Sequence, residues 1–187
     1  MLTIRKLSAA ELALLRPFAD RALVGETVHL KISRLGFQLD YLPLPKDEWR
    51  TYLPPSYAAP AFIVQDSASA LFAAFENDRC IGTATVTTDP NGWAEVLDVR
   101  VDPAWRRKGV ATALLGQCGF FAEQRHLHGL RIAATDHNPA LCHLLERLGF
   151  ILSGLDRMAL TRDPAERGKP LMLRACLLFF YLPIEKG

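Results

Sequence analysis

Apolar positions along this chain fall into blocks with two periods, one strand-like and one helical. Residues 2–7, Leu-Thr-Ile-Arg-Lys-Leu, alternate as a short strand. Ser8 with Glu11 three residues later forms a capping box, and Leu12, Leu14, Leu15, Phe18 and Leu23 predict a helix behind it. From Val24 to Pro60 the pattern weakens: 28–32 and 37–41 are candidate strands, and Pro43, Pro45, Pro54, Pro55 and Pro60 punctuate the rest. An antiparallel meander follows, with strands at 70–76, 80–88 and 93–101 joined by Asn77-Asp78-Arg79 and Asp89-Pro90-Asn91-Gly92. Val110, Leu114, Leu115, Cys118 and Phe121 then take helical spacing, and 130–135 is a short apolar run that predicts a buried strand. Asn138 caps the next helix with Pro139 at its first position, Leu141, Leu144, Leu145 and Leu148 form its stripe, and Gly149 ends it. Strands are expected over 150–160 and 171–183, separated by a polar loop at 161–170.

Strand, helix, several antiparallel strands, helix, strand, helix and two strands make an α+β order, which calls for one mixed, mainly antiparallel central sheet with helices on both faces, a three-layer α/β/α arrangement. The 187 residues fit a single domain over 1–187 that needs no disulfide or metal staple. A net charge of +2, with no basic helix and no zinc-finger spacing, argues against nucleic acid or a membrane surface as partner. Cys80, Cys118, Cys142 and Cys176 are widely spaced in apolar surroundings and form no CxxC pair, so they read as free buried thiols of a reducing compartment. No signal-like core opens the chain, and the apolar run 175–182 is too short to span a bilayer; a soluble cytoplasmic protein, monomer or homodimer, is the expectation.

The chemistry concentrates at the end of the meander. After Val99-Arg100-Val101-Asp102-Pro103-Ala104-Trp105 come Arg106, Arg107 and Lys108, then Gly109, Val110 and Ala111, where a helix begins. The first backbone N–H groups of a helix lack internal partners, and the helix dipole favours an anion there. Gly109 and Ala111 keep side chains out of the way, and the three cations add positive charge. The segment reads as an anion cradle; a solvated basic turn has the same composition.

The pattern Arg106-x-x-Gly109-x-Ala111 after Val99-x-Val101-x-Pro103 resembles the coenzyme A loop of the GNAT superfamily of N-acetyltransferases. Asn138, with Leu144 and Gly149-Phe150, is similar to that family's second cofactor motif. The resemblance covers about 2–160 and is strongest over 70–151. Weaker similarity to the streptothricin acetyltransferase subfamily lies in 149–156, in 176–182 and in Tyr41-Leu42-Pro43-Leu44-Pro45.

The resemblance implies the acyl-coenzyme A N-acyltransferase fold and acetyl-coenzyme A as acetyl donor, without a metal. It implies a coenzyme A core over about 70–151 and acceptor-side elements over about 24–62 and 160–187. Main-chain groups of Val99 and Val101, on a strand that splays from its neighbour, would meet the pantetheine arm with help from Asn138. Arg106, Arg107, Lys108, Gly109, Val110 and Ala111 would hold the diphosphate. Glu95 matches the base glutamate of family members that acetylate protein lysines. Asp98 matches an acidic position of the streptothricin-type enzymes and, three residues on, is expected on the opposite strand face. The tyrosine that many members use to protonate the leaving thiolate is here Leu145; a water, Tyr181 or Cys142 are alternatives. Tyr41, Trp49, Tyr52, Tyr57 and Phe62 lie where this fold borders the acceptor. The leading expectation is transfer of acetyl to a primary amine of a small molecule. Acetylation of a protein N-terminus or lysine, and a silent acyl-coenzyme A-binding module, are the alternatives.

Overall fold

Nine strands and three α-helices follow one another in a computed structural model that describes residues 1–19, 21–34, 36–51, 59–160, 168–170 and 175–184, with Thr51 as backbone only. The contacts divide the chain into two compact units, one of 1–19, 54–132 and 182–187, the other of 20–53 and 133–181.

In the first unit β1 (Thr3–Lys6), β4 (Ser69–Glu76), β5 (Arg79–Thr88) and β6 (Ala94–Val101) pair antiparallel in that order. β7 (Gly129–Thr135), whose first four residues belong here, adds to β6 in parallel. The meander is where its turn residues put it: Asn77 and Asp78 take the positive φ angles that asparagine and aspartate tolerate. Registers show which residues share a face. Ala74 stands opposite Gly82, and a Cβ on Gly82 would meet Val110 and Leu114 of α2 (Val110–Gln124), so Ala70, Phe72 and Ala74 face that helix. Leu71, Ala73 and Phe75 face the other way, into a cluster with Leu7, Ile63 and Cys80 that Leu12, Leu15, Phe18, Val64 and Leu97 complete. Ile63 and Val64 come from α1 (Pro60–Gln65), a helix absent from the periodicity reading. This sheet thus carries helical layers on both faces, as expected.

The first predicted helix is cut short. Its capping box forms, but only a 3-10 turn, Ala9–Leu14, stands behind it. Pro17 has no N–H and excludes the residue before it from helical geometry, so the turn cannot continue. Leu23 instead lies in β2 (Arg21–Ser33).

In the second unit β2 pairs with β3 (Gly36–Thr51) as a long two-stranded hairpin. Proline is compatible with β3 because no third strand joins the hairpin among the described residues, and Pro45 falls in the irregularity that leaves 44–47 opposite Gly25. α3 (Pro139–Arg147) is capped by Asn138 and closed by Gly149 at φ 84°, as read from sequence. β8 (Ile151–Asp156) and β9 (Leu177–Pro183) pair antiparallel. The part of the last strand expected over 171–174, most of the polar loop, and Tyr52 and Tyr57 lie outside the described residues. All four cysteines are buried and unpaired. Among the described residues, no helix is long and apolar enough to cross a membrane.

Candidate functional site

The end of β6 is the best-defined site in the first unit. Its ladder with β7 covers only Ala94, Val96 and the residue between them. Beyond Val96, among the described residues, no strand pairs with β6 on the side away from β5. Asp102 donates its N–H to the Ile81 carbonyl at 2.9 Å, which fixes the alternation of the β5–β6 ladder: Asp98, Arg100 and Asp102 turn their backbone groups toward β5. Val99 and Val101 turn theirs away. The Val101 carbonyl is taken by the Arg106 Nε donor at 3.2 Å. The N–H and C=O of Val99 and the N–H of Val101 have no partner among the described residues, which leaves an open strand edge.

The loop behind this edge is pinned from beneath. Asp102 is 6 % exposed; its Oδ1 accepts the Ala104 N–H at 3.0 Å, opening a 3-10 turn over Pro103–Trp105. Its Oδ2 pairs with Arg16 and, at 3.1 Å, with Arg79. The Ala104 N–H, with Arg79 and Arg16, holds the Asp102 carboxyl below the usual carboxylate range against the opposing cost of burial. Arg106 also belongs to this pinning, because it donates to the Ala19 carbonyl as well as to Val101. The cations on the surface of the loop are Arg107 and Lys108, the latter 4.6 Å from the Trp105 ring centre. Asp102 and Arg16 were not among the residues singled out from sequence. The Asp-Pro pair at the turn marks the cap, but nothing local marks a partner 86 residues away.

Gly109 takes φ 80°, the left-handed region where a side chain costs about 1–2 kcal/mol. It caps α2 without any side-chain bond, and a Cβ there would meet nothing within 4 Å. The first intrahelical bond runs from the Ala113 N–H to the Gly109 carbonyl at 3.0 Å. The amides of Val110, Ala111 and Thr112 therefore precede the ladder and have no intrahelical partner. Gly82 sets how close this helix start lies to the sheet, since its missing Cβ would be 2.9 Å from the Arg100 carbonyl and 3.1 Å from Val110.

The two candidate bases stand on one face of β6, contrary to the expectation of opposite faces. Thr85 is opposite Asp98 whereas Val86 is opposite Val96, so Leu97 is an extra residue that resets the alternation. Glu95 accepts from Arg131, its register partner on β7, at 2.6 Å. Asp98 accepts from Arg100 Nε at 2.7 Å. Each carboxylate is thus engaged by an arginine through one oxygen.

In the second unit, Asn138 accepts the Leu141 N–H at 3.1 Å through Oδ1, which leaves its Nδ2 without a partner among the described residues. Two residues earlier Asp136 accepts the Cys176 N–H at 2.9 Å, and burial raises its carboxyl above the usual range despite that bond and the charges of His137, Arg157 and Arg50. Leu145 is fully buried. Cys142 is equally buried, desolvation pushes its thiol up, and its Sγ lies 3.7 Å from the Thr135 carbonyl. Trp49 and Phe62 are exposed. Tyr41 reaches α3, where its ring stacks on His143 at 3.6 Å and its hydroxyl donates to Glu146 at 2.5 Å. Among the described residues no cluster of histidine, cysteine and carboxylate could hold a metal ion.

Two curated relatives are streptothricin acetyltransferases. One, from Bacillus subtilis (strain 168), is 32% identical over 101 residues, which is 54% of this chain and 58% of the relative. The other, from Escherichia coli, is 31% identical over 91 residues, 49% of this chain and 52% of the relative. The match thus spans between half and three fifths of each relative's length. Among solved structures, a Bacillus anthracis str. Ames protein provisionally assigned as a streptothricin acetyltransferase, in complex with acetyl coenzyme A, superposes with TM-score 0.85 at 20% identity, over 98% of this chain and 100% of that one. Nourseothricin acetyltransferase superposes with TM-score 0.76 at 23% identity, over 97% and 98%. These structures establish the shared fold. The model of the Acetyltransferase (GNAT) family matches residues 37–150, more than half of the sequence and all of the open strand edge, loop and helix start described above, and the chain belongs to that family.

Proposed function

We propose that this chain is an N-acetyltransferase that moves the acetyl group of acetyl-coenzyme A onto a primary amine of a small molecule. The observation that carries the reading is the pairing of a one-sided strand edge at Val99 and Val101 with a helix start at Gly109 that no side chain caps. The donor sets fit the two halves of the cofactor. Amides of Val110, Ala111 and Thr112, with Arg107 and Lys108, would hold the diphosphate. Backbone groups of Val99 and Val101 would hold the pantetheine arm. Arg106 serves this site by fixing the loop to the strand. When bound, acetyl-coenzyme A supplies an acetyl group activated as a thioester.

A lysine-like amine, pKa about 10.4, is neutral in roughly one molecule in 10³ at pH 7, a penalty of about 4–5 kcal/mol. A carboxylate that accepts the proton during attack offsets part of it. Glu95 takes that role in this reading, with Asp98 on the same face as the alternative. No protein acid is required for departure, because a thiol pKa of about 8.5 makes the thiolate a tolerable leaving group. This suits Leu145 and the raised Cys142 thiol.

The acceptor class rests on the curated relatives, both named for streptothricin, so an amine-bearing antibiotic of that type is the first acceptor to assay. One neighbour, the ribosomal-protein-S18-alanine N-acetyltransferase from Escherichia coli, superposes with the lower TM-score of 0.63 and represents the peptide alternative. Thiol release from acetyl-coenzyme A across free amines and peptides separates the readings. Turnover with free amines supports the proposal, turnover with peptides alone supports the alternative, and binding without turnover marks a silent module. If Glu95 is the base, Glu95→Gln slows the reaction and moves its pH optimum upward; an unchanged profile rules Glu95 out of that role.

A further inference from the structure

The β2–β3 hairpin is held on α3 by a group of side chains that the transfer chemistry does not use. Val28 stands opposite Tyr41, and Glu26 opposite Pro43, so Glu26, Val28 and Tyr41 project from one hairpin face by the period of two. Val28 is buried there. On α3, His143 stacks on the Tyr41 ring with centroids 3.6 Å apart and planes 18° from parallel. The His143 Nε2 lies 2.9 Å from Glu26 Oε1, and the Tyr41 hydroxyl donates to Glu146 Oε2 at 2.5 Å. One aromatic pair, one imidazole–carboxylate contact and one phenol–carboxylate hydrogen bond thus join elements 102 to 117 residues apart.

We propose that Tyr41 and His143 are positioning residues that latch the β2–β3 hairpin to α3, and that the latch tightens when His143 takes up a proton. A charged imidazolium both strengthens the contact with Glu26 and adds a cation over the Tyr41 ring. The groups facing His143 are Glu26 from β2 and Tyr41 from β3, with Glu146 and Arg147 three and four residues on along its own helix and Cys142 beside it. His29, Lys31 and Asp40 alternate onto the other hairpin face. Burial, then the bond to Glu146, then the charges of Cys142, Glu146 and Glu26 raise the Tyr41 phenol, so it stays a donor throughout the neutral range. The Cys142 thiol is raised as well and stays neutral. Histidine is the side-chain type whose ordinary charge change falls between about pH 5 and 8, which sets the range over which the latch is tested.

For catalysis the latch rests on the acetyl-transfer reading: α3 begins at Asn138, and the hairpin is the acceptor-side element. Loosening it raises KM for the amine while coenzyme A binding stays as it was.

Hydrogen–deuterium exchange on the full chain tests the latch without reference to activity. After correction for intrinsic exchange rates, β2 and β3 amides of the natural sequence are expected to be about fivefold better protected near pH 5 than near pH 8, the scale of a partly exposed ion pair. His143→Gln flattens that dependence. Tyr41→Phe lowers protection at both ends and keeps the slope. Amides of α2 report that each variant is folded, and Glu26→Gln replaces His143→Gln should the latter lose them. A slope in His143→Gln equal to that of the natural sequence, or none in the natural sequence, overturns the proposal. If no amine is turned over, the acetyl-transfer reading fails and the protection slope still decides the latch.

Discussion

The segment from β6 through α2 and the hairpin of β2 and β3 both hold candidate functional side chains, but by different physics. In the first, the decisive groups are main-chain amides and carbonyls, whose direction is set by strand alternation, a bulge, a left-handed glycine and a helix start. In the second, the decisive groups are side chains that meet partners on a distant helix. A site made of backbone is insensitive to what its side chains are, provided glycine and the pinning carboxylate stay. The hairpin contacts are partly exposed, and each contributes little alone.

Substitutions can sharpen that contrast, beginning with the most severe. Gly82→Val would place branches against the Arg100 carbonyl, Val110 and Leu114 at distances that only movement of α2 relieves. Denaturant unfolding is expected to show a loss of about 3 kcal/mol. A loss under 1 kcal/mol would mean that Gly82 does not set the height of the helix start.

Asp102→Asn keeps the Ala104 contact and removes the charge that Arg16 and Arg79 answer, at a cost of about 2 kcal/mol. The folded-state pKa of Asp102 is depressed, so its contribution is present above the usual carboxylate pKa and is lost as pH falls through the lower folded value. Stability of the natural sequence should therefore fall more steeply than that of the variant below about pH 4. Parallel acid-unfolding curves would remove Asp102 from the account.

Gly109→Ala is the discriminating case. Left-handed strain should cost about 1 kcal/mol, because no atom lies within 4 Å of the added methyl. Coenzyme A affinity, in contrast, should fall about tenfold, since that methyl enters the space the diphosphate is proposed to fill. Equal affinity in variant and natural sequence would separate Gly109 from ligand binding. The smallest effect is expected in the hairpin: exposed Trp49, truncated to alanine, should change stability by less than about 0.5 kcal/mol in thermal unfolding.

The legibility of these regions from sequence follows the same division. The meander, the helix start at Gly109 and the cap at Asn138 were readable because turn residues, glycine and capping act within a few positions. The bulge at Leu97 was not, because one inserted residue leaves no mark in an apolar strand, and it moved Asp98 to the face of Glu95. The helix expected through Leu23 failed at Pro17, a signal that was present and was outweighed by apolar spacing. The Asp102–Arg16 pair and the Tyr41–His143 stack join residues 86 and 102 positions apart, and no local pattern encodes such meetings.

Isothermal titration of the folded chain with coenzyme A tests most directly whether the open edge of β6 and the start of α2 form one cofactor site. Saturable one-to-one association that weakens as salt rises, through Arg107 and Lys108 at the diphosphate, is the predicted result. Absence of any heat with either coenzyme A or its acetyl ester, at several temperatures, would contradict it.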